Sequence, residues 1–265
     1  MRLAGCVASI VMEKTTSRFR HRYGYACINT ELAGQGITTN RSIQLKTFMA
    51  EGKRKCGELA ALNISDLIKV LEWNKENNIE LYRMTSQLVP WGTEFSLEEL
   101  PNWSELAELL AQAGKFVRDN GMRISFHPGP FNNLASPDPN VIANTIKDLE
   151  MHGHILDYMG MPQDHWSKVN IHLGGTYGSK TTALFRFEKN FKKLSSTVAK
   201  RLTLENDDRE SLYSVSDLYS VHQSTGVPIV FDGHHWQVGA KSGSYEEDLL
   251  KAYKTWGDVT PTLHW

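Results

Sequence analysis

Five successive apolar runs in this chain end in a side chain able to bind a metal ion. "RISFH" closes on His127, "VNIH" on His172, "LTLE" on Glu205, "PIVFDGHH" on Asp232, His234 and His235, and "TPTLH" on His264. A lone histidine in such a place is ordinarily a hydrogen-bonded structural residue, and a lone glutamate ordinarily caps the next helix. Five in succession are better explained by a cluster of ligands. Imidazole mixed with carboxylate suits zinc, manganese or iron better than calcium or magnesium alone. Two such ions roughly 3.5–4 Å apart can clamp an in-line displacement at phosphorus. His21, His152, His154, His165 and His222 fall outside the pattern and read as surface or loop residues.

The elements that must carry these residues alternate between short apolar runs and amphipathic stretches, the rhythm of β/α units. Strands are expected over 22–29, 80–85, 123–129, 168–174, 201–207, 228–235 and 260–265. Helices are expected over Glu58–Asn77 (with Leu59, Leu62, Leu67, Val70 and Leu71 on one face), Trp103–Asn120, Val141–Met159 after the turn signal "SPDPN", and Ala183–Leu202. The fold class this implies is α/β, either a parallel TIM (β/α) barrel or a doubly wound sheet. Active sites of such barrels lie at the C-terminal ends of the strands, so the five strand-end groups would meet at one mouth. Seven strands can be counted where a closed barrel has eight, so the eighth is expected to be missing. No linker, repeat or low-complexity segment divides the chain. One domain is expected over 22–265, C-terminally truncated, after an N-terminal extension over 1–21 without stable order.

Composition narrows the function. A chain of 265 residues, 40% hydrophobic, can bury one large core. A net charge of -1 gives no overall basic signature for nucleic acid. Cys6, Cys27 and Cys56 have no CxxC spacing and read as free thiols of a reducing compartment. "LAGC" at 3–6 has the look of a lipoprotein cleavage box, but no signal region stands upstream of it. The apolar run Leu3–Met12 is too short to span a bilayer, so no membrane partner is expected. There is no dinucleotide fingerprint, P-loop or nucleophile elbow.

Charge is nonetheless uneven. Between Ser179 and Arg201 stand Lys180, Arg186, Lys189, Lys192, Lys193, Lys200 and Arg201 against Glu188 alone. This stretch reads equally as a solvated helix face and as a phosphate-binding segment beginning near the mouth. Arg18, Arg20, His21 and Arg22 form a second basic cluster before the first strand. Phe131 and Tyr177 follow strand ends, where they could stack on bases or fill core.

The motifs together carry a resemblance. "GYACIN" (24–29), "YRMTSQLVP" (82–90), "HPGPFNNLASP" (127–137), "IHLGG" (171–175), "LENDD" (204–208) and "FDGHH" (231–235) are similar, in order and spacing, to those of the UV damage endonuclease family, over about Arg22–Trp265. The resemblance implies a TIM barrel holding two or three divalent ions, manganese first, with zinc, cobalt or magnesium as alternatives. It implies a double-stranded DNA substrate nicked immediately 5′ to cyclobutane pyrimidine dimers and 6-4 photoproducts, leaving a 3′-hydroxyl and a 5′-phosphate. His127, His172, Glu205, Asp232, His235 and His264 match the family's metal ligands. Glu205, His172 and His264 are taken as the catalytic core, and His235 is favoured over His234. Tyr25 and Asn29 match residues facing the lesion strand, Arg83 lies in a motif bordering the mouth, and Tyr177 and Lys180 are expected to touch DNA. A monomer in the bacterial nucleoid, in a virus-infected cell or in a eukaryotic nucleus is expected.

The chain also departs from the family pattern. Pro130-Phe131 stands where Gln and an aromatic usually push into the duplex. Glu94 stands in place of a histidine ligand, and Thr262 in place of a lysine. A sugar-isomerase or abasic-site endonuclease barrel is the alternative enzyme, and a lesion-binding protein without catalysis is the alternative of another class.

Overall fold

The computed structural model describes residues 22–265. The expected N-terminal extension, the "LAGC" box and the basic residues before Arg22 lie outside them. Seven strands form one parallel sheet in sequence order: β1 (Gly24–Ala26), β2 (Leu81–Met84), β3 (Arg123–Phe126), β4 (Val169–His172), β5 (Leu202–Glu205), β6 (Ile229–Asp232) and β7 (Leu263–His264). The helices are α1 (Thr30–Ala33), α2 (Leu45–Glu76), α3 (Trp103–Asp119), α4 (Pro139–Tyr158), α5 (Lys180–Phe191), α6 (Ser196–Ala199), α7 (Val215–Thr225), α8 (Gly233–Val238) and α9 (Tyr245–Lys254). Every adjacent strand pair is parallel, and no ladder joins β7 to β1 among the described residues, leaving a half-barrel of the TIM type. None of the helices described is long and apolar enough to cross a membrane.

Burial on both faces makes β3, β5 and β6 buried throughout, as parallel strands covered by helices must be. The outward residues pack against helices: Phe126 meets His152 of α4 edge-on at 4.7 Å, and Phe231 meets Tyr245 of α9 at 5.1 Å. α3 and α4 approach so closely at Gly114 that a Cβ there would lie 1.7 Å from the Met159 carbonyl oxygen. At the other end of the barrel from the mouth, Arg123 ties three chain segments together. Its Nε donates to Trp166 O (2.7 Å), Nη1 to Thr260 O (2.7 Å) and Nη2 to His165 O (2.8 Å).

Several sequence expectations need correction. His152 is buried, with Nδ1 2.7 Å from Asp148 O, because the inner face of α4 rests on β3. Leu62 is 51% exposed, because the buried stripe of α2 runs through Cys56, Ala60, Ile64, Leu67 and Leu71. The helix expected over Ala183–Leu202 is broken. Ser195 starts a new short helix by accepting from Val198 N, while Glu150 takes the Ser195 amide (2.7 Å) and hydroxyl (2.6 Å). Leu202 then belongs to β5. The strand expected over 228–235 ends at Asp232, whose Oδ1 accepts from His235 N (2.7 Å) and caps α8.

Candidate metal centre

Strand alternation places the site. On β4, Asn170 and His172 share a face, with Lys168 two residues before them. Thr203 and Glu205 on β5, Val230 and Asp232 on β6, and Thr262 and His264 by β7 follow the same alternation. Glu205 lies at the centre and is 2% exposed. Its Oε2 is 3.2 Å from His127 Nε2 and 2.9 Å from His264 Nδ1, and its Oε1 is 3.4 Å from His235 Nδ1. Asn170 Nδ2 also donates to Oε2, and Asn170 is itself aimed by Thr203, whose hydroxyl donates to Asn170 Oδ1 (2.7 Å).

The remaining candidate ligands close around this carboxylate. The ring of His172 stands 5.3 Å from that of His127 and 5.4 Å from that of His235. Asp232 Oδ2 is 4.0 Å from Nδ1 of both His235 and His264. His127, His172 and Glu205 bring one ligand atom each within 4.8 Å of one another, and so do Glu205, Asp232 and His264. The two groups share Glu205. Glu94, expected as a ligand, is exposed on the loop after β2 and belongs to neither group.

The electrostatics suit a cation. Burial by itself would raise the Glu205 carboxyl, yet hydrogen bonds from His127 and His264 hold it well below the usual range. Burial lowers His172 and His264 against the attraction of Glu205, favouring neutral imidazoles, the form that ligates a metal. Neutral imidazoles beside buried carboxylates form a donor set that fits borderline divalent ions.

Four residues of this centre escaped the sequence reading. Asn170 orients Glu205, as described. Asn206 ties β5 to β6: its Nδ2 donates to Asp232 O (3.0 Å) and its Oδ1 accepts from Asp232 N (2.8 Å). Asp207, buried, has its carboxyl pushed up to about 7 by that burial. Lys168 is fully buried, its ammonium has no hydrogen-bond partner among the described residues, and burial lowers it to about 7. The alternation Lys-x-Asn-x-His was the available signal for Lys168 and Asn170, and the run "LENDD" for the other two.

The residues expected to touch DNA are more dispersed. Phe131, 74% exposed, and the exposed Pro130 sit on the loop after β3. That loop is anchored on three sides. Asn132 Nδ2 donates to Asp148 (2.5 Å), Asn190 Nδ2 of α5 to Leu134 O (2.8 Å), and Arg186 Nε to Ala135 O (2.6 Å). Tyr177, half exposed in a left-handed backbone conformation (φ 50°), receives a hydrogen bond from Asn133 Nδ2 (2.6 Å). Gly174 permits this approach, since a Cβ there would lie 2.3 Å from the Asn133 side chain. Lys180 is paired with Asp217 at 3.0 Å, and Arg201 is buried against Asp157 and the carbonyls of Gly153 and Met161, so Arg201 is structural. The Tyr25 hydroxyl donates to Asn74 of α2 (2.8 Å) and accepts from Asn29 Nδ2 (2.9 Å), so this pair is bonded to α2 and to each other. Arg83 is half-buried, and its Nε has no hydrogen-bond partner among the described residues.

Comparison with known proteins gives the family and the fold. The profile of the family described as UV-endonuclease UvdE matches residues 21–264. A UV DNA damage endonuclease of Clostridium perfringens (strain 13 / Type A) is 36% identical over 236 residues, 89% of this chain and 55% of the relative. The chain thus spans about half the length of that relative. One of Bacillus cereus (strain G9842) is 35% identical over 221 residues, 83% of this chain and 68% of its own. Among solved structures, SacUVDE superposes with a TM-score of 0.79 at 30% identity, over 90% of this chain and 78% of its own. Endonuclease IV from Thermus thermophilus, at 13% identity and a TM-score of 0.52 over 92% of this chain and 76% of its own, shares the fold alone.

Proposed function

This chain belongs to the UV-endonuclease UvdE family, and on that premise we propose that it is a metal-dependent DNA repair endonuclease. It nicks the phosphodiester immediately 5′ to UV photoproducts, leaving a 3′-hydroxyl and a 5′-phosphate. The observation that carries the reading is the pair of ligand groups sharing Glu205. His127, His172 and Glu205 would hold one divalent ion, and Glu205, Asp232 and His264 a second, with His235 next to Glu205 and Asp232. Manganese is the first candidate. Such ions neutralise charge on the scissile phosphate and favour attack by water.

The rest falls to the protein's own side chains. Asn170 and Thr203 keep Glu205 aimed between the two groups. Phe131 presents an aromatic edge to the duplex from an anchored loop, and fills the space that a flipped lesion leaves. Flipping costs least where pairing is already weakened, which favours damaged over intact sites. Pro130 has no amide with which to read the opposite bases, so recognition rests more on Phe131. Tyr177 and Lys180 lie along the route of the strand, and Tyr25, Asn29 and Arg83 border the β1–β2 side.

The test is a nicking assay on a labelled duplex with one cyclobutane dimer, with and without Mn2+. A cut 5′ to the dimer that requires Mn2+ and is lost in His172→Ala supports the proposal. An intact strand under those conditions, in protein that binds Mn2+, overturns it.

A further inference from the structure

Three consecutive residues at the end of β5 address the metal centre in three ways. Glu205 is its central carboxylate. Asn206 turns its own carbonyl to His235, whose Nδ1 lies 3.0 Å from it. Asp207 turns its carboxylate to His172, with Oδ1 3.5 Å from His172 Nδ1.

His172 Nδ1 and Asp207 Oδ2 are both buried, and neither has a hydrogen-bond partner among the described residues. An unpartnered ring nitrogen beside a buried carboxyl, their nearest atoms 3.5 Å apart, stands one small movement from a hydrogen bond, and leaving it open costs free energy. The backbone holds Asp207 there: its amide donates to Tyr213 O (3.3 Å), and Gly239 packs so tightly on it that a Cβ would lie 2.1 Å from Asp207 O. The backbone that carries the acidic side chain is thus fixed beside His172. A third histidine shows the same orientation, since His127 Nδ1 lies 3.2 Å from Pro128 O.

From this geometry we propose that Asp207 is the positioning residue of His172. Its carboxylate accepts the Nδ1–H and so reserves Nε2 for the metal ion. The inference rests on reading the cluster as a metal centre. It adds that the acid after Asn206, and not only the ligands, sets metal affinity. Partners of this kind fix the ring and the tautomer of a ligating histidine, and their loss typically weakens metal binding by about 10–100-fold.

The experiment is Mn2+ titration of the full chain, following free Mn2+ by electron paramagnetic resonance, for wild type, Asp207→Asn and Asp208→Asn. Asp208, which is exposed, carries the same charge one residue along. Melting of each metal-free protein reports on the fold. The expected result is about 10–100-fold weaker binding in Asp207→Asn, little change in Asp208→Asn, and an unchanged melting temperature for the metal-free proteins. Equal affinity in Asp207→Asn and wild type overturns the proposal, as does a loss that tracks a lowered melting temperature. Wild type that binds no Mn2+ overturns the metal reading beneath it. Nitrogen-15 NMR of metal-free wild type, with His172 assigned by comparison with His172→Asn, needs no folded Asp207 variant. The proton is expected on Nδ1, and a proton on Nε2 contradicts the proposal.

Discussion

Replacing Lys168 with methionine should stabilise the metal-free protein. Its ammonium is fully buried, has no hydrogen-bond partner among the described residues, and titrates at about 7 where a lysine ordinarily titrates at 10.5. The cause is desolvation, with Arg123 and Arg83 adding repulsion against the attraction of Glu205. A folded-state value below the unfolded one means the lysine costs nothing at pH above 10.5. Its cost then grows as the pH falls and is complete once the pH has passed below about 7. The difference amounts to roughly 4 kcal/mol at pH 7 and roughly 2 kcal/mol at pH 9. Methionine matches the length of the lysine stem and carries no charge, so most of that cost should disappear. Urea unfolding in EDTA at both pH values measures it. Lys168→Met is expected to be the more stable protein at pH 7, and its advantage is expected to shrink by roughly 2 kcal/mol at pH 9. Titrating groups that do not interact with Lys168 cancel in the comparison. A variant less stable than wild type at pH 7, by an amount that does not change with pH, would refute the reasoning and show that the ammonium is satisfied.

Gly114→Ala is expected to cost at least about 2 kcal/mol in urea unfolding, because the new methyl would overlap the Met159 carbonyl where α3 meets α4. Phe131→Ala is expected to reduce the preference for dimer-containing over intact duplex, by the roughly 1–3 kcal/mol of one aromatic–base stack, while Mn2+ affinity stays the same. Competition binding and Mn2+ titration read the two quantities. His165 is held near 4 against an ordinary 6.5, chiefly by burial. Its neutral ring therefore contributes stability that is complete above pH 6.5 and lost as the pH falls through about 4. His165→Phe is expected to flatten that part of the acid limb in thermal melts.

Most of the centre was legible because strand ends announce themselves: an apolar run with period two stops at a His, Glu or Asp, and the β/α rhythm brings the stops together. His127, His172, Glu205, Asp232 and His264 came from that logic, and His235 from its three-residue step after Asp232. The element carrying His235 was not legible, since an extended run and a capped helix start look alike until Asp232 is seen to bond the His235 amide. His152 and Arg201 were misread for a related reason. Phe126 meets His152, and Asp157 meets Arg201, only through the packing of α4, whose geometry no local pattern encodes. Lys168 stood in the same alternating run as His172, but a buried unpaired ammonium contradicts composition rules, so it invited no assignment. Glu94 was placed by position in a motif, and the loop after β2 leaves it exposed.

Metal-dependent nicking requires above all that the two ligand groups sharing Glu205 each hold a divalent ion. Crystals grown with Mn2+, with data collected at the manganese absorption edge, would test it. Two anomalous peaks are expected, one among His127, His172 and Glu205 and one among Glu205, Asp232 and His264. A map with no peak at these residues, or with manganese bound only elsewhere, would contradict it.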